Sequence, residues 1–584
     1  MQKILMLLLK LICGCTLVLL TLPARATAAA AVPLLVNQCL NYSTDFHPDF
    51  SSIITLERQT IGLQNINDQV NYYRSFVLPE AAQEALLQCQ LAVADAVNRV
   101  LISPQLRPIL DDLQRSNELS HHRLAAKFQY LLAHQLPLSE KAKLSTAQAS
   151  IRQHLKSNNF QLDWGSCALA VTTPTVQKKS LSDHRDDTTE AKDAAAPEPL
   201  VRNIATYMLQ QSDEDCRKLV WRKYQARAKS SNQTMLTTVQ QLRLQQAQNA
   251  GYNSYVDYLL AEQLMGSADN LSNFLNAFSQ RLDIAPWNIG KELTDLKITK
   301  INKISADDFM QTVSQRLANI GITHENIDKR WMRLWYRGRL LGELLIAAAP
   351  KNRHILIRRS VIGQQAGQSQ LELKAELKTL RDYQTAVSAL SEALTQLAAG
   401  GRFYLDNGFT LPQDAGRIGE LWLEDYLSQG FPQQLRPSPD SREQLAESYR
   451  QHMALFHAYV ALEFYQTPNK QPSTSLFSHL FAGQWPEVHD YAYSFADIAD
   501  TGPLIYESLW QQFVADAIYQ TTANCAPEKL FEVLIVNENG ADIRQTLFDI
   551  WGPDAVTRLI AQIQQGQFHP DHLPQWCPLD KFTP

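Results

Sequence analysis

The chain has 584 residues, of which 45% are apolar and 19% charged, a composition that excludes a disordered or fibrous protein. Its 54 basic and 59 acidic residues leave a net charge of −5, and no run of Lys or Arg supplies the electrostatic footprint of a nucleic-acid binder. Length alone suggests roughly four units of about 150 residues, unless one large helical body takes up most of the chain.

The N-terminus places Lys3 and Lys10 around an apolar run that extends to Leu22 and ends near Ala24-Arg25-Ala26. This pattern predicts a secretory signal peptide over residues 1–26. The run is too short to cross a hydrocarbon layer of about 30 Å at about 1.5 Å per helical residue, and no later segment is long and apolar enough to do so. The expected product is exported, periplasmic or secreted, with no transmembrane segment in the mature chain. Six cysteines follow the leader: Cys39, Cys89, Cys167, Cys216, Cys525 and Cys577. An even number in an oxidising compartment permits three disulfides whose pairing the spacing cannot rank, and buried free thiols would satisfy the same composition. There is no CxxC pair, so neither a thioredoxin-type site nor a zinc knuckle is indicated.

Apolar spacings of three and four dominate the rest, and strand-like alternation is rare, so the fold class expected is all-α. Pro79-Glu80 opens one helical stretch carrying Leu86, Leu87, Val93 and Val97, and others follow to about Lys156. Residues 27–171 read as an N-terminal helical region. From 172 to 199 the pattern fails in a polar, proline-punctuated connector containing Asp183-His184-Arg185-Asp186-Asp187. Helical periodicity resumes and runs, with breaks at Ala285-Pro286 and around Pro350, through residues 200–584.

The stretch Arg217-Lys-Leu-Val-Trp221-Arg-Lys-Tyr224-Gln-Ala-Arg227, followed by Asn232, Leu242-Arg243, Ala247 and Gly251-Tyr252, resembles the thimet oligopeptidase/oligopeptidase A family of zinc metallopeptidases. The resemblance continues through Ala285-Pro286-Trp287-Asn288, Gly338-Arg339-Leu-Leu-Gly342 and Phe477-Ser-His479-Leu-Phe-Ala-Gly483. It implies a large helical ellipsoid with a deep central channel, zinc at the channel floor and short peptides as substrates. It also implies a His-Glu-x-x-His helix, which sets two imidazoles one turn apart with the Glu as general base, and a third Glu ligand from a following helix.

The expected helix is marked by Leu373, Leu377, Leu380, Val387, Leu390, Leu394 and Leu397, ending at Gly400-Gly401, but it contains no histidine. Placing the family motif on it puts Ser388 and Glu392 at the two His positions and Ala389 at the general base. Arg417 lies 29 residues after Ser388, where the family has its third ligand. Arginine has no lone pair to donate, serine is a poor zinc ligand and alanine cannot take a proton from water. A guanidinium about 4 Å from a divalent cation would cost roughly 8 kcal/mol at an effective dielectric near 20. No catalytic residue of the motif is intact, no metal is expected, and Glu392 and Arg417 are candidates for an ion pair in the metal's place. The bland reading is that Arg417 pairs with Glu420 or Glu424 along its own helix.

No other catalytic motif stands out, which leaves open a serine or cysteine nucleophile with partners scattered along the chain. His324-Glu325-Asn326-Ile327-Asp328 ends in Asp, and Thr323 beside it reads as a helix N-cap. His452 and His457 are five apart and do not share a helix face. In the family a His followed by tyrosines binds substrate and the oxyanion. Here His479, Trp485, His489, Tyr491 and Tyr493 fall at those positions and are the candidate peptide-binding residues, although aromatic residues at helical spacing are more often packing. The leading expectation is an exported pseudopeptidase that binds peptides or a protein partner. The alternatives are an active metalloendopeptidase with relocated ligands and a structural or assembly protein acting through its outer surface.

Overall fold

The computed structural model describes residues 24–156, 167, 204–278, 280–408, 412–432, 435–466, 475–538, 540–565, 568, 574 and 577. Residues 1–23 of the expected signal peptide and the connector at 172–199 lie outside the described residues.

Two hydrophobic cores organise what is described. The smaller is built by helices α1 (Ala24–Asp45), α2 (Ile53–Arg74), α3 (Glu80–Leu101), α4 (Leu106–Arg115) and α5 (Leu119–Ala133). In α3 the buried residues Leu86, Cys89, Val93, Ala96 and Val100 alternate in steps of three and four, so one stripe faces α1 and α2. The larger core starts with Ala147 and Ile151 on α6 (Leu138–Lys156), which packs on α8. It continues through α7 (Glu214–Gln225) and α8 (Lys229–Asn249) to the C-terminal helices. Helix α2 meets the body through polar contacts: Asn65 and Gln365 exchange two amide hydrogen bonds, Tyr72 donates to Gln370, and Asp68 pairs with Arg359.

The chain is mainly helical, as expected, and carries in addition a sheet that the periodicity did not announce. Strands β2 (Ile322–Asn326), β3 (Trp331–Tyr336), β4 (Arg339–Ala348), β5 (Arg353–Arg358) and β6 (Gly367–Leu373) form it in the order β2-β3-β4-β6-β5. Strands β4 and β6 run parallel and the other neighbours antiparallel. A two-residue bridge between β1 (Ile304–Ser305) and β7 (Glu376–Leu377) stands apart. Arg337 and Gly338 both have positive φ, 46° and 80°, which suits the tight turn joining β3 to β4.

Two local expectations are corrected by this sheet. Thr323 and His324 are not at a helix start: they lie on the edge strand β2, opposite Trp335 and Leu334. The leucine stripe does not belong to one helix either. Leu373 ends β6, Leu377 lies on β7, and helix α9 begins only at Leu380 and ends at Ala398. Both leucines are buried, so their apolarity was a true core signal with the wrong period. The boundary is set by a capping box: Thr379 accepts from the Asp382 N–H, and the Asp382 carboxylate accepts from the Thr379 N–H.

All six cysteines are paired, Cys39–Cys89, Cys167–Cys216 and Cys525–Cys577, closing loops of 50, 49 and 52 residues. Each pair joins sequence neighbours among the six. On chain-entropy grounds a loop of this length is worth about 4 kcal/mol. Melting with and without reductant should therefore show a loss of many degrees, and Cys39→Ser with Cys89→Ser should reproduce part of it. An unchanged midpoint on full reduction would refute this.

Candidate functional site

The residues singled out in the sequence come together where α9 crosses α10 (Ile418–Ser428) above the sheet. Helix α9 is buried along most of its length, with Leu380, Tyr383, Val387, Leu390, Leu394 and Leu397 in the core. Ala389 is buried too, leaving no acid or base at that position. Ser388 and Glu392, one turn apart, lie on the less buried face, and half of the Glu392 side chain is exposed. Arg417 is the N-cap residue of α10, and Glu420 and Glu424 follow on the same face three and seven positions on.

The contacts settle how these charges pair. Arg417 donates from Nε and Nη2 to Glu420, at 3.0 Å and 2.5 Å, and its Nη2 lies 3.8 Å from Glu424 Oε1. Ser388 Oγ donates to Glu424 Oε1 at 2.8 Å. Glu392 faces His354 Nδ1 of β5 at 3.5 Å, and the other nitrogen of that ring lies 3.0 Å from Ser369 Oγ on β6. The expected direct pair between Glu392 and Arg417 is thus replaced by two others, and Glu392 acts on Arg417 only through its charge. The physical reason is proximity along α10. Two carboxylates on the arginine's own helix face compete for the same guanidinium, and pairing with them orders fewer independent side chains.

Burial is the largest influence on Arg417, Glu420 and Glu424. It works against the charge of Arg417, but the hydrogen bond and charge of Glu420, with the charges of Glu424 and Glu392, outweigh it and hold the guanidinium above its usual range. Burial pushes the Glu420 carboxyl up against the opposing pull of Arg417. Burial also pushes Glu424 up to about 7, aided by the charge of Glu420 and opposed by the Ser388 hydrogen bond.

This donor set does not fit zinc. The Ser388 hydroxyl is committed as a donor, Ala389 offers nothing, and a cation already sits at Arg417. Among the described residues no group of three or more His, Cys, Asp or Glu is placed to hold a metal ion.

The C-terminal candidates separate. His479 is exposed at the end of helix Ser475–Leu480, beside an open cavity of about 440 Å³ also lined by Asn276, Tyr459, Glu463, Ser475 and Ser478. Trp485 is not an open aromatic wall: it is 2% exposed, with ring centroids 4.8 Å from Trp221, 5.7 Å from Phe477 and 5.6 Å from Tyr491. Tyr491 is buried and its hydroxyl lies 2.6 Å from His457 Nε2. Burial pushes that imidazole down to about 4, so it is neutral at ordinary pH. His489 faces Asp490 at 3.2 Å, and Tyr493 is half-buried. The structure brings Trp485 and Tyr491 together as core and leaves only His479 facing the cavity. His354 is the site residue that sequence reasoning missed, because it lies on a strand that the helical periodicity hid.

The motif residues between Arg217 and Asn288 have scaffold roles. Arg217, 3% exposed, donates to Asn288 Oδ1 and to the carbonyls of Gln211 and Ser212. Trp287 Nε1 and Asn288 donate to Glu214. Arg243 is buried among Tyr465 and the carbonyls of Ala499 and Asp500.

Residues 207–307, which hold these scaffold contacts, match the family model described as Peptidase family M3. That match covers under a fifth of the chain, and over these residues the chain is similar to the peptidases of that family. No curated protein sequence matches it. Among solved structures, one described as an oligoendopeptidase F covers 92% of this chain and 96% of its own at 10% identity, with a TM-score of 0.47. Metallocarboxypeptidase 1 of Trypanosoma cruzi covers 91% and 96% at 8% identity, with a TM-score of 0.45. The oligoendopeptidase-F of Enterococcus faecium covers 93% and 88% at 12% identity, with a TM-score of 0.37. None of these superpositions is tight enough to transfer site geometry.

Proposed function

We propose that the chain is an exported relative of the zinc oligopeptidases that has given up hydrolysis and holds peptides or a protein partner. The observation that carries this reading is the placement of Ser388, Glu392 and Arg417 on the two crossing helices, with Arg417 salt-bridged to Glu420 and Ser388 bonded to Glu424. These groups supply no zinc ligand set and no general base in the motif register. Export is supported by the leader pattern and by three disulfides, which persist in oxidising compartments. The cavity beside His479 is the opening offered to a polar ligand.

The test is zinc content and peptide hydrolysis of the mature, untagged protein after dialysis against zinc. Substoichiometric metal and no cleavage of quenched fluorescent peptides are expected, together with retention of some peptides from a mixed library. Chelator-sensitive cleavage would favour a working metallopeptidase with relocated ligands. Absence of both cleavage and peptide retention would turn attention to the outer surface.

A further inference from the structure

We infer that the positions where a metal's ligands would fall form a guanidinium-centred lock, closed by Arg417, that ties the crossing of α9 and α10 together and keeps a divalent cation out. This rests on the reading of the chain as a metal-free relative and adds what stands in the metal's place. Both crossing helices contribute, and so does the sheet beneath them. Helix α9 supplies Ser388 and Glu392, helix α10 supplies Arg417, Glu420 and Glu424, and strand β5 supplies His354.

The logic is one of charge balance. The Glu420 side chain is only 7% exposed and that of Glu424 24%, and they lie one turn apart on the same helix face. Two carboxylates so placed repel each other and lose solvation, and Arg417 is the cation that reaches both, at 2.5 Å and 3.8 Å. Glu424 in turn accepts the Ser388 hydroxyl at 2.8 Å, so the guanidinium's hold on α10 is passed across to α9. Glu392, one turn along α9 from Ser388, adds to the lock only through its charge on Arg417 and separately faces the buried His354, whose ring is fixed by Ser369. A metal often joins neighbouring elements in the same topological way. Here the joining charge is covalently part of the chain, and its presence repels a second cation from the same carboxylates.

The experiment compares thermal midpoints of the disulfide-intact mature protein. Arg417→Met keeps the length of the side chain and removes the charge, and is expected to lower the midpoint by about 2 °C. The pair Glu420→Gln and Glu424→Gln should cost much less, and the triple variant should return to within about 0.5 °C of the starting protein, because the carboxylates no longer need a cation. Calorimetric titration with zinc should show no binding to the unaltered protein. A variant combining Ser388→His, Glu392→His and Arg417→Glu should take up about one zinc per chain, with a raised midpoint when loaded. Additive effects of the Arg417 and Glu substitutions, or an unchanged midpoint for Arg417→Met, would overturn the lock while leaving the inactive-relative reading standing. One zinc per chain in the unaltered protein would overturn the exclusion, and peptide cleavage would overturn the broader reading separately.

Discussion

Gly342→Ala is expected to destabilise the protein by about 3 kcal/mol or more, an unusually large effect for one methyl group. Gly342 lies on β4 beside Gly367 of the parallel strand β6, and Leu397 of α9 rests on the pair. A Cβ built at Gly342 would lie 2.5 Å from the Gly367 carbonyl oxygen and 2.7 Å from Leu397 Cδ2. The first neighbour is backbone within a sheet and cannot swing away. The second belongs to a fully buried leucine near the end of the helix that carries Ser388 and Glu392. The substitution must therefore part the strands or lift α9, and either movement reaches the site. Gly338→Ala is the control, because its φ of +80° carries strain but nothing lies within 4 Å of the added atom. Its cost should be nearer 1 kcal/mol. Urea midpoints of the two variants measure the difference, and equal midpoints would show that the contact at Gly342 yields.

The same contact explains part of what was legible in the sequence. Gly338 and Gly342 stood out as motif residues, but their reason, a tight turn and a helix lying against two strands, is a tertiary fact that periodicity does not encode. Leu373 and Leu377 were visible as core and invisible as strand, since short apolar runs fit either period until a cap such as Thr379 with Asp382 fixes the boundary. At the site, the chemical identities of Ser388, Ala389, Glu392 and Arg417 sufficed to argue against a zinc ligand set. Which charge meets which did not follow from spacing. Arg417 chose Glu420 and Glu424 on its own helix, and Glu392 found His354 on a strand that had not been foreseen. Trp485 and Tyr491 show the opposite error, in which family position suggested a ligand wall where packing placed a core.

Stability should fall as pH rises from about 4 to about 8, and Asp425→Asn should remove much of that fall. Asp425 on α10 and Asp516 on α11 (Glu507–Thr521) belong to closely packed helices. Burial, then the charge and hydrogen bond of Asp516, push Asp425 up to about 8, with Arg436 opposing. Burial raises Asp516 as well, against the hydrogen bonds from Asp425 and Gln512. The two carboxyls share a proton that neither would keep in the unfolded chain near neutrality. A carboxyl whose folded pKa lies above its unfolded value contributes stability that is fully present below the unfolded pKa and is lost as pH rises through the folded one. Glu424 and Glu507, both pushed up to about 7 chiefly by burial, act in the same direction over the same window. Asp425→Asn keeps a donor for Asp516 without a titrating proton. Its midpoint should therefore exceed that of the unaltered protein by several degrees at pH 8.5, with the gap narrowing towards zero below about pH 4. A uniform loss at both pH values would mean that the pair is held by packing and not by the shared proton.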